Sequence, residues 1–437
     1  MPNRQPFNQN GKRAWYRTMP FAVPVFLIIF LLSSFAEPVK AAEELRLDPL
    51  ISEALKNNHE IITAEARLAA AGFRIPQARS LPDPMVMFGY QNEGWKKYTY
   101  GEMQGAQWMF SASQMFPYPG KLALKEQMAS KEAEGLESAY QGLKLRTVEK
   151  VKELYFDLYL IYKNLDLIQD RKMLFSRIED AAIARYSSGM GLQQEVLMAQ
   201  TEKYMLLEKE EMLRQKIQSS ETMLNVVLGR EVTAALGRPA DQSGTELHRS
   251  LEDLLNVHVN ESPFLQGREK MVAASAVKVK MAQKEFYPDF TVNAGYFRRA
   301  GEFEDMWSLT TTINIPLFYR TKQQQAVLEA RALVSEAEHE VLAMRSMLSS
   351  TIRDNYSMMK TAERLMALYK DGLIPKIRQD FDAALAGYMS GKTEAMTVIS
   401  RLKSLLDVEA LYWGQFVERE KAIARLETMT GAKGVIP

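Results

Sequence analysis

Methionine is the soft metal ligand that this sequence offers in quantity. The chain contains 25 Met, four His and no Cys, and thioether sulfur is a ligand that suits Cu(I). Seven of the methionines fall around one predicted hairpin or side by side on a predicted helix, namely Met85, Met87, Met103, Met109, Met115, Met358 and Met359. Because methionine also fills irregular gaps between helices, we expect most of them to pack in a core, and we predict no metal site.

The sequence offers no constellation of residues for catalysis. Without cysteine there are no disulfides, thiolate metal sites or cysteine nucleophiles, and the four histidines are scattered at positions 59, 248, 258 and 339. Serines and carboxylates are plentiful, but no motif places them together. The 55 basic and 54 acidic residues nearly cancel, which gives no sign of a nucleic-acid-binding surface. We therefore predict a protein that is not an enzyme and that binds no cofactor and no nucleic acid.

The elements that would position any site begin after a predicted signal peptide over residues 1–41. Basic residues precede an uncharged run from Thr18 to Ala36, and Val39 and Ala41 are small residues that favour cleavage before Ala42. An uncleaved membrane anchor is the alternative, which two prolines in the run disfavour. The chain of 437 residues exceeds what one ordinary hydrophobic core holds. It must form two domains or one elongated body, and its export suggests a bacterial envelope protein.

The rest of the sequence is a duplication with a period of about 200 residues. Four landmarks recur in order: 81–90 at 287–296, Trp108 and Pro117 at Trp307 and Pro316, 186–189 at 388–391, and Leu224 and Gly229 at Leu426 and Gly431. We predict a first repeat over 42–229 and a second over 247–431. An irregular segment over 230–246 joins them, and a tail over 432–437 follows. The two repeats are expected to form one pseudo-symmetric body.

Each repeat contains two predicted strands, because polar and apolar residues alternate along them. The strands are predicted at 84–91, 106–116, 289–297 and 307–316. Segments of about 9–11 residues with aromatic ends fit tilted transmembrane β-strands, which would place Tyr90, Trp108, Tyr296 and Trp307 at the membrane interface. Two hairpins half-buried on a soluble core give the same alternation. Four strands cannot close a barrel of eight or more, so a transmembrane sheet requires several copies of the chain.

Each repeat also contains two very long predicted helices, at 120–186 and 192–228 and at 321–386 and 394–430. No proline occurs between Pro119 and Pro239, and the first helix makes a rod of about 100 Å. We expect a kink or interruption at Pro375. Two apolar seams run along the first helix in steps of three and four, formed by Val148, Val151, Leu154, Tyr155, Leu158, Ile161, Tyr162, Leu165 and Ile168. Two seams let a helix pack against neighbours on both sides, as in a cylinder.

These features together resemble the TolC family of outer-membrane efflux proteins, and the resemblance covers the whole chain after residue 41. Residues 114–121 and 81–84 look like the strand junctions of the heavy-metal-efflux branch. The resemblance implies a mainly α fold with a transmembrane β-barrel, in which a homotrimer shares twelve strands and the long helices form a periplasmic α-barrel. It also implies a passive outer-membrane duct that lies in outer-membrane lipid and extends into the periplasm, where it meets a periplasmic adaptor and an inner-membrane pump. The expected pump is of RND type, and the expected cargo is heavy-metal cations.

The resemblance also assigns roles at the far ends of the helices. The two turns at which the adaptor docks contain Ser188, Gly189, Met190, Ser390, Gly391 and Lys392, and both glycines suit a positive φ. Glu195 and Tyr388 align with residues that hold the tip closed in the family. The arginine that links them there aligns with Thr393, and two acidic rings align with Thr397 and Ser400, so we expect a reduced network. Three copies of Glu195 near an axis would concentrate cations, unless Glu195 is merely a solvated residue near a helix start.

Two other functions are compatible with the sequence. One is a soluble periplasmic coiled-coil scaffold or adaptor, and the other is the exit duct of a type I secretion system. Strand pairs in both repeats disfavour an adaptor, because an adaptor usually places one helical hairpin within a single β-domain.

Overall fold

Helices account for most of the chain from residue 44 to residue 431, the residues that this computed structural model describes. The predicted signal peptide, residues 1–41, and the tail over 432–437 lie outside them. The helices are α1 Leu47–Asn57, α2 His59–Arg79, α3 Lys121–Ser187, α4 Gln193–Leu228, α5 Leu251–Asp253, α6 Val259–Glu261, α7 Pro263–Lys284, α8 Gln323–Ala367, α9 Ile374–Met389 and α10 Ala395–Thr430. Within this part of the chain, no helix combines the length and the hydropathy needed to cross a membrane.

Four strands form one antiparallel sheet in the order β1-β2-β3-β4. They are β1 Met85–Gln91, β2 Gln107–Phe116, β3 Phe290–Arg298 and β4 Met306–Ile313. β4 ends at Ile313, before the predicted position 316. The amide of Asn314 still donates to the carbonyl of Asp289, which precedes β3, but Pro316 has no N–H to donate. Strands β1 and β4 are the two edges of the sheet within one chain.

The two hairpins have the same hydrogen-bond register. In the first hairpin Met85 pairs with Ser113, and in the second Thr291 pairs with Thr312. Thr291 lies 206 positions after Met85, and Thr312 lies 199 positions after Ser113. These are the offsets at which the first and second strands of the two repeats match in sequence. The duplication therefore extends to the pairing of individual residues, and a feature of one repeat has a defined counterpart in the other.

The helices next to the sheet keep the order of the strands. α2 leads into β1, α3 leaves β2, α7 leads into β3 and α8 leaves β4, while α3 packs against α2 and α7, and α8 packs against α7. Farther from the sheet, α4 packs on α3, and α10 lies against α3, α8 and α9. The result is a wall one helix thick, in which the inner helices have a neighbour on each side.

Most residues of the apolar seams of α3 are buried, while Ile161, Tyr162 and Leu165 are partly buried. Val151, Tyr155 and Leu158 have no exposed surface, and they pack with residues of α1, α4 and α10. The hydroxyl of Tyr155 donates to the carbonyl of Leu45 at 3.1 Å and accepts from Nε2 of Gln242 at 3.0 Å. The segment between the repeats is thereby held against the seam near the middle of the helical wall.

The interruption predicted at Pro375 is confirmed. α8 continues without a break into a π-helical segment over Leu368–Leu373, and Pro375 lies in the first turn of α9, so the α-helical hydrogen-bond pattern changes just before the residue that has no N–H to donate. The equivalent helix of the first repeat, α3, is continuous for 67 residues. The two repeats therefore differ in the helix that descends from their second strand.

The methionines do not fill the core as expected. Among the described residues, Met359 is the only methionine in the buried hydrophobic core. Met85, Met173, Met190 and Met389 are between 64 % and 73 % exposed. A wall one helix thick has little interior, so long flexible side chains lie on its faces in a single chain.

Candidate functional site

Both helical hairpins end in the same turn, at the end of the helices remote from the sheet. Gly189 and Gly391 have φ angles of +75° and +76°, the left-handed conformation that glycine adopts at little cost, as predicted. The next residue of each turn, Met190 or Lys392, donates its N–H to the carbonyl five residues back. These bonds satisfy terminal carbonyls of α3 and α9, so the two turns present the same backbone shape.

The surface of the two turns is exposed and partly apolar. The side chains of Met190, Leu192 and Met389 are 73 %, 67 % and 70 % exposed, and Ser188 and Ser390 are exposed beside them. A group of exposed apolar side chains with a polar surround is typical of a docking surface.

Three side chains join the two turns. Arg185 lies at the end of α3, Glu195 at the start of α4 and Tyr388 at the end of α9. The hydroxyl of Tyr388 donates to Oε2 of Glu195 at 3.3 Å, and Nη1 of Arg185 donates to the carbonyl of Tyr388 at 2.8 Å. The guanidinium also lies 4.8 Å from the centre of the Tyr388 ring, with Nε 3.9 Å from Glu195. This tip cluster ties the first repeat to the second.

Tyr388 is completely buried although it lies at the tip. Burial, together with the charge of Glu195 and the hydrogen bond to it, raises the pKa of the phenol from 10.0 to about 12. The hydroxyl is therefore protonated at neutral pH and available as a donor. Because the pKa is raised by folding, this group's contribution to stability is complete below pH 10 and is lost as the pH rises through about 12.

Arg185 was missed from the sequence, and it supplies a guanidinium to the network that we expected to be reduced. The family pattern places the linking arginine at position 393, which is Thr393 here. The guanidinium comes instead from the other hairpin. Thr393 packs against Gly387, where an added Cβ would lie 2.3 Å from its Oγ1. One signal in the sequence could have identified Arg185. It precedes Gly189 by four residues, about one helical turn, which places it beside the turn.

Glu195 is not the solvated residue that one interpretation predicted. Its side chain is 14 % exposed, and its carboxylate lies beside the guanidinium of Arg185. The carboxylate of Glu195 is therefore partly neutralised within the single chain.

The sheet carries aromatic side chains at two levels. The level near the loops contains two cross-strand pairs, Tyr90 with Trp108 and Tyr296 with Trp307. At the helix end Phe116 stacks on Phe290 with ring centres 5.6 Å apart. The residues Trp108 and Phe116 of β2 are about 26 Å apart along an extended strand, which is close to the apolar band of about 25 Å in outer-membrane sheets.

The opposite face of the sheet carries mainly small polar side chains and methionines, with Phe297 as the one aromatic residue that these strands place on it. By register it contains Ser111, Ser113, Asn293, Gly295, Ser308, Thr310 and Thr312 together with Met85, Met87, Met109, Met115 and Met306. Four of the five methionines noted around the first hairpin thus share one face. From residue 44 to 431 there is no group of His, Cys, Asp and Glu placed to hold a metal ion.

A buried lysine joins the two repeats where the sheet meets the helices. Lys121, the first residue of α3, is 3 % exposed, and its Nζ lies 2.9 Å from Asp289 and 3.3 Å from Glu285. The carboxylate of Asp289 also accepts the N–H of Tyr118 at 2.7 Å, and Tyr118 stacks on Tyr287 with ring centres 4.5 Å apart. This junction holds the segment that leaves β2 against the segment that enters β3.

Similarity to known proteins covers both repeats. The sequence profile of the outer membrane efflux protein family matches residues 50–230 and 254–432. The chain is similar to the cobalt-zinc-cadmium resistance protein CzcC of Cupriavidus metallidurans, with 21 % identity over 90 % of this chain and 92 % of CzcC. It is also similar to the pyoverdine export outer membrane protein OpmQ of Pseudomonas putida, with 22 % identity over 85 % of this chain and 82 % of OpmQ.

Among solved structures, the fold is similar to that of VceC, an outer membrane protein of Vibrio cholerae. The TM-score is 0.74 with 18 % sequence identity, and the match covers 88 % of this chain and 96 % of VceC. The predicted fold class, mainly α with duplicated halves and a β-sheet of the membrane-channel type, is confirmed.

Proposed function

Because the chain belongs to the outer membrane efflux protein family, we propose that it forms the outer-membrane exit duct of a tripartite efflux pump. The observation that carries this proposal is the continuity of sheet and helical wall. Each of the four strands runs into or out of a helix of the same row, in the same order. A sheet in the outer membrane would therefore lead directly into a helical wall in the periplasm.

The two aromatic levels support a sheet that spans the membrane. Aromatic rings are favoured at both interfaces of a bilayer, and the two levels are about one apolar band apart. Tyr90, Trp108, Tyr296 and Trp307 would lie at the outer interface, and Phe116 and Phe290 at the periplasmic one. The face with small polar residues and methionines would line the channel.

The free edges of the sheet support a homotrimer. Four strands cannot close, so several copies must share one barrel, and three copies with twelve strands are the arrangement that the family resemblance implies. The flanking helices carry uncovered apolar side chains, such as Phe73 on α2 and Leu342 on α8, which are 71 % and 58 % exposed. Neighbouring copies would cover them.

The tips are the proposed docking site of a periplasmic adaptor that connects the duct to an inner-membrane pump. Three features support this: the two turns are exposed, they share one backbone shape, and they present apolar side chains. The contact residues would be Ser188, Gly189, Met190, Ser390, Gly391 and Lys392. A duct of this kind is passive and is not an enzyme, since the pump supplies the energy for transport.

The tip cluster is proposed to hold the duct closed, and Tyr388→Phe tests this. The substitution removes the donor to Glu195, a bond to a charged group that is worth about 1.5 kcal/mol or more. We expect the open probability of single channels in planar bilayers to rise about tenfold. Tyr186→Phe is the matched control, because Tyr186 is the counterpart in the first repeat and is 49 % exposed. Equal effects of the two substitutions would remove Tyr388 and Glu195 from the closing mechanism.

Heavy-metal cations are the proposed substrates. The similarity to CzcC over most of both chains, the junction segments at 81–84 and 114–121, and the thioethers on the proposed channel face support this class. We expect deletion of the gene in its own host to sensitise cells to cobalt, zinc, cadmium, copper or silver, and a plasmid copy to restore growth. Sensitivity confined to dyes and antibiotics, or loss of pyoverdine export, the activity that the name of OpmQ gives for that relative, would contradict the metal assignment.

Two other functions are compatible with the sequence, a soluble periplasmic scaffold and a type I secretion duct. The family match argues against a soluble periplasmic scaffold. A type I secretion duct would have the same architecture, so the class of inner-membrane pump that copurifies with the chain after crosslinking decides between the two. We expect a proton-driven pump of the RND type rather than an ATP-driven exporter.

A further inference from the structure

We propose that Arg320 of one copy of the chain forms an ion pair with Asp83 of the next copy, at the seam where neighbouring sheets meet. The proposal rests on the proposed function in one respect, since it requires several copies to share a barrel. Its starting point is the junction of Lys121 and Asp289, which holds β2 against β3 within one chain.

The duplication gives each residue of this junction a counterpart. At the offsets of 199 and 206 that relate the strands, Lys121 corresponds to Arg320 and Asp289 corresponds to Asp83. Within one chain β2 lies beside β3, and in a closed ring of copies β4 lies beside β1 of the next copy. Arg320 follows β4 and Asp83 precedes β1, as Lys121 follows β2 and Asp289 precedes β3.

Neither side chain has a charged partner among the residues that the structure describes. Asp83 and Arg320 are exposed. Within residues 44–431 the carboxylate of Asp83 has no hydrogen bond or ion pair, and the guanidinium of Arg320 contacts the ring of Tyr319 at 6.0 Å. Lys121, in contrast, has two carboxylates within 3.3 Å.

The apolar contact of the junction also has a counterpart. Tyr118 and Tyr287, which stack within the chain, correspond to Leu317 and Leu81. Leu317 is 75 % exposed and Leu81 is 48 % exposed. Each outer edge of the sheet therefore has an exposed leucine near an exposed charge, and the two charges have opposite signs. The two edges are complementary to each other.

One difference makes the seam weaker than the junction within the chain. Glu285, the second carboxylate near Lys121, corresponds to Arg79, and Arg79 contacts Glu126 of its own chain at 3.5 Å. The seam therefore has one carboxylate for one guanidinium. Charge reversal, which turns attraction into repulsion, tests such a pair more sensitively than neutralisation.

The same offsets define the register of the strands at the seam. Ser113 and Asn293, which pair within the chain, correspond to Thr312 of one copy and Met87 of the next. Phe110 and Tyr296 likewise correspond to Leu309 and Tyr90. This register places Leu309 and Tyr90 on the face that carries the tyrosines and tryptophans, and Thr312 and Met87 on the opposite face, so each face continues round the ring as a closed membrane barrel requires.

Engineered cysteines test the register, because the natural chain has none. Met87→Cys combined with Thr312→Cys is expected to give oxidised trimers that survive boiling in SDS without reductant. Within one chain β1 and β4 are three strand spacings of about 4.8 Å apart, too far for a disulfide. Met87→Cys with Thr310→Cys is the control, two residues out of register on the same face. Crosslinking of the control pair in preference to the first would overturn the register.

Charge reversal tests the ion pair. Arg320→Asp and Asp83→Arg are each expected to lower the temperature at which the trimer dissociates on SDS gels, and the double variant is expected to restore it. Lys322→Asp, two residues from Arg320 and also exposed, is the control and should shift the temperature less. If the wild type is a trimer, either of two results overturns the ion pair. One is that the single variants dissociate at the same temperature as the control, and the other is that the double variant does not regain the dissociation temperature of the wild type. A wild type that forms no trimer would instead overturn the proposed duct.

Discussion

Glu409→Gln is expected to lower the stability of the folded chain by about 3–5 kcal/mol, the usual cost of removing one partner of a buried ion pair. Glu409 on α10 is 7 % exposed. Its carboxylate accepts hydrogen bonds from Arg171 of α3 and from Arg378 of α9, the latter at 2.8 Å. Arg171 is itself 8 % exposed, so glutamine would leave a buried guanidinium without a counter-charge. Thermal unfolding of the protein in detergent, followed by circular dichroism at 222 nm, measures the change.

Two further variants decide whether the effect comes from the buried charge. Asp380→Asn breaks an ion pair with Arg401 that also joins α9 to α10, at 2.9 Å, but with both side chains about half exposed. Exposed pairs contribute about 0–1 kcal/mol, so this control should change the melting temperature little. Arg171→Met with Glu409→Leu should recover most of the loss, because an apolar replacement leaves no unpaired charge between α3 and α10. Equal losses in Glu409→Gln and Asp380→Asn would contradict the interpretation.

Gly229→Ala is expected to destabilise the chain by more than the strain of a left-handed alanine alone, which is about 1–2 kcal/mol. Gly229 ends α4 with φ +72°, and a Cβ there would lie 2.4 Å from the carbonyl oxygen of Asn57, the last residue of α1. Backbone cannot rotate away as a side chain can, so α1 or the end of α4 must shift. That shift would also strain the bond that Asn58 donates to the carbonyl of Val227 at 2.8 Å.

The chain provides a matched control for this substitution. Gly189 also ends a helix, with φ +75°, but an added Cβ would meet nothing within 4 Å. Gly189→Ala therefore introduces the conformational strain without the clash. About 0.4–1 kcal/mol of that destabilisation is offset because alanine lowers the conformational entropy of the unfolded chain. We expect Gly229→Ala to lower the melting temperature at least twice as much, and similar shifts in both variants would show that the contact with α1 adjusts freely.

The parts of the fold that depend on local pattern could be predicted from the sequence. Strand positions follow from the alternation of side chains on two faces, and the long helices follow from the absence of proline and the apolar seams. The interruption at Pro375 and the positive φ angles of Gly189 and Gly391 follow from the covalent geometry of single residues.

The parts of the fold and of the tip cluster that depend on contacts between distant segments could not be predicted from the sequence. The methionines look like core residues because they are apolar, yet their exposure is decided by how many layers the helices form. Glu195 and Tyr388 were recognised from the resemblance, whereas Arg185 was not, since alignment compares positions along the chain and the guanidinium comes from the opposite hairpin. Likewise, nothing in the residues around Lys121 indicates that it is buried against Asp289, 168 positions away.

The sequence by itself determined the duplication, the four strands, the length of the helices and hence the kind of body this protein forms, because each of these is written in periodicity and local backbone preference. Only the tertiary structure decided which residues of one repeat meet which residues of the other: Arg185 with Tyr388, Lys121 with Asp289, Arg171 with Glu409. The physical reason is that such pairs depend on the packing angle and register of whole helices and strands. These are set by the sum of many weak contacts and leave no signature at the two positions themselves.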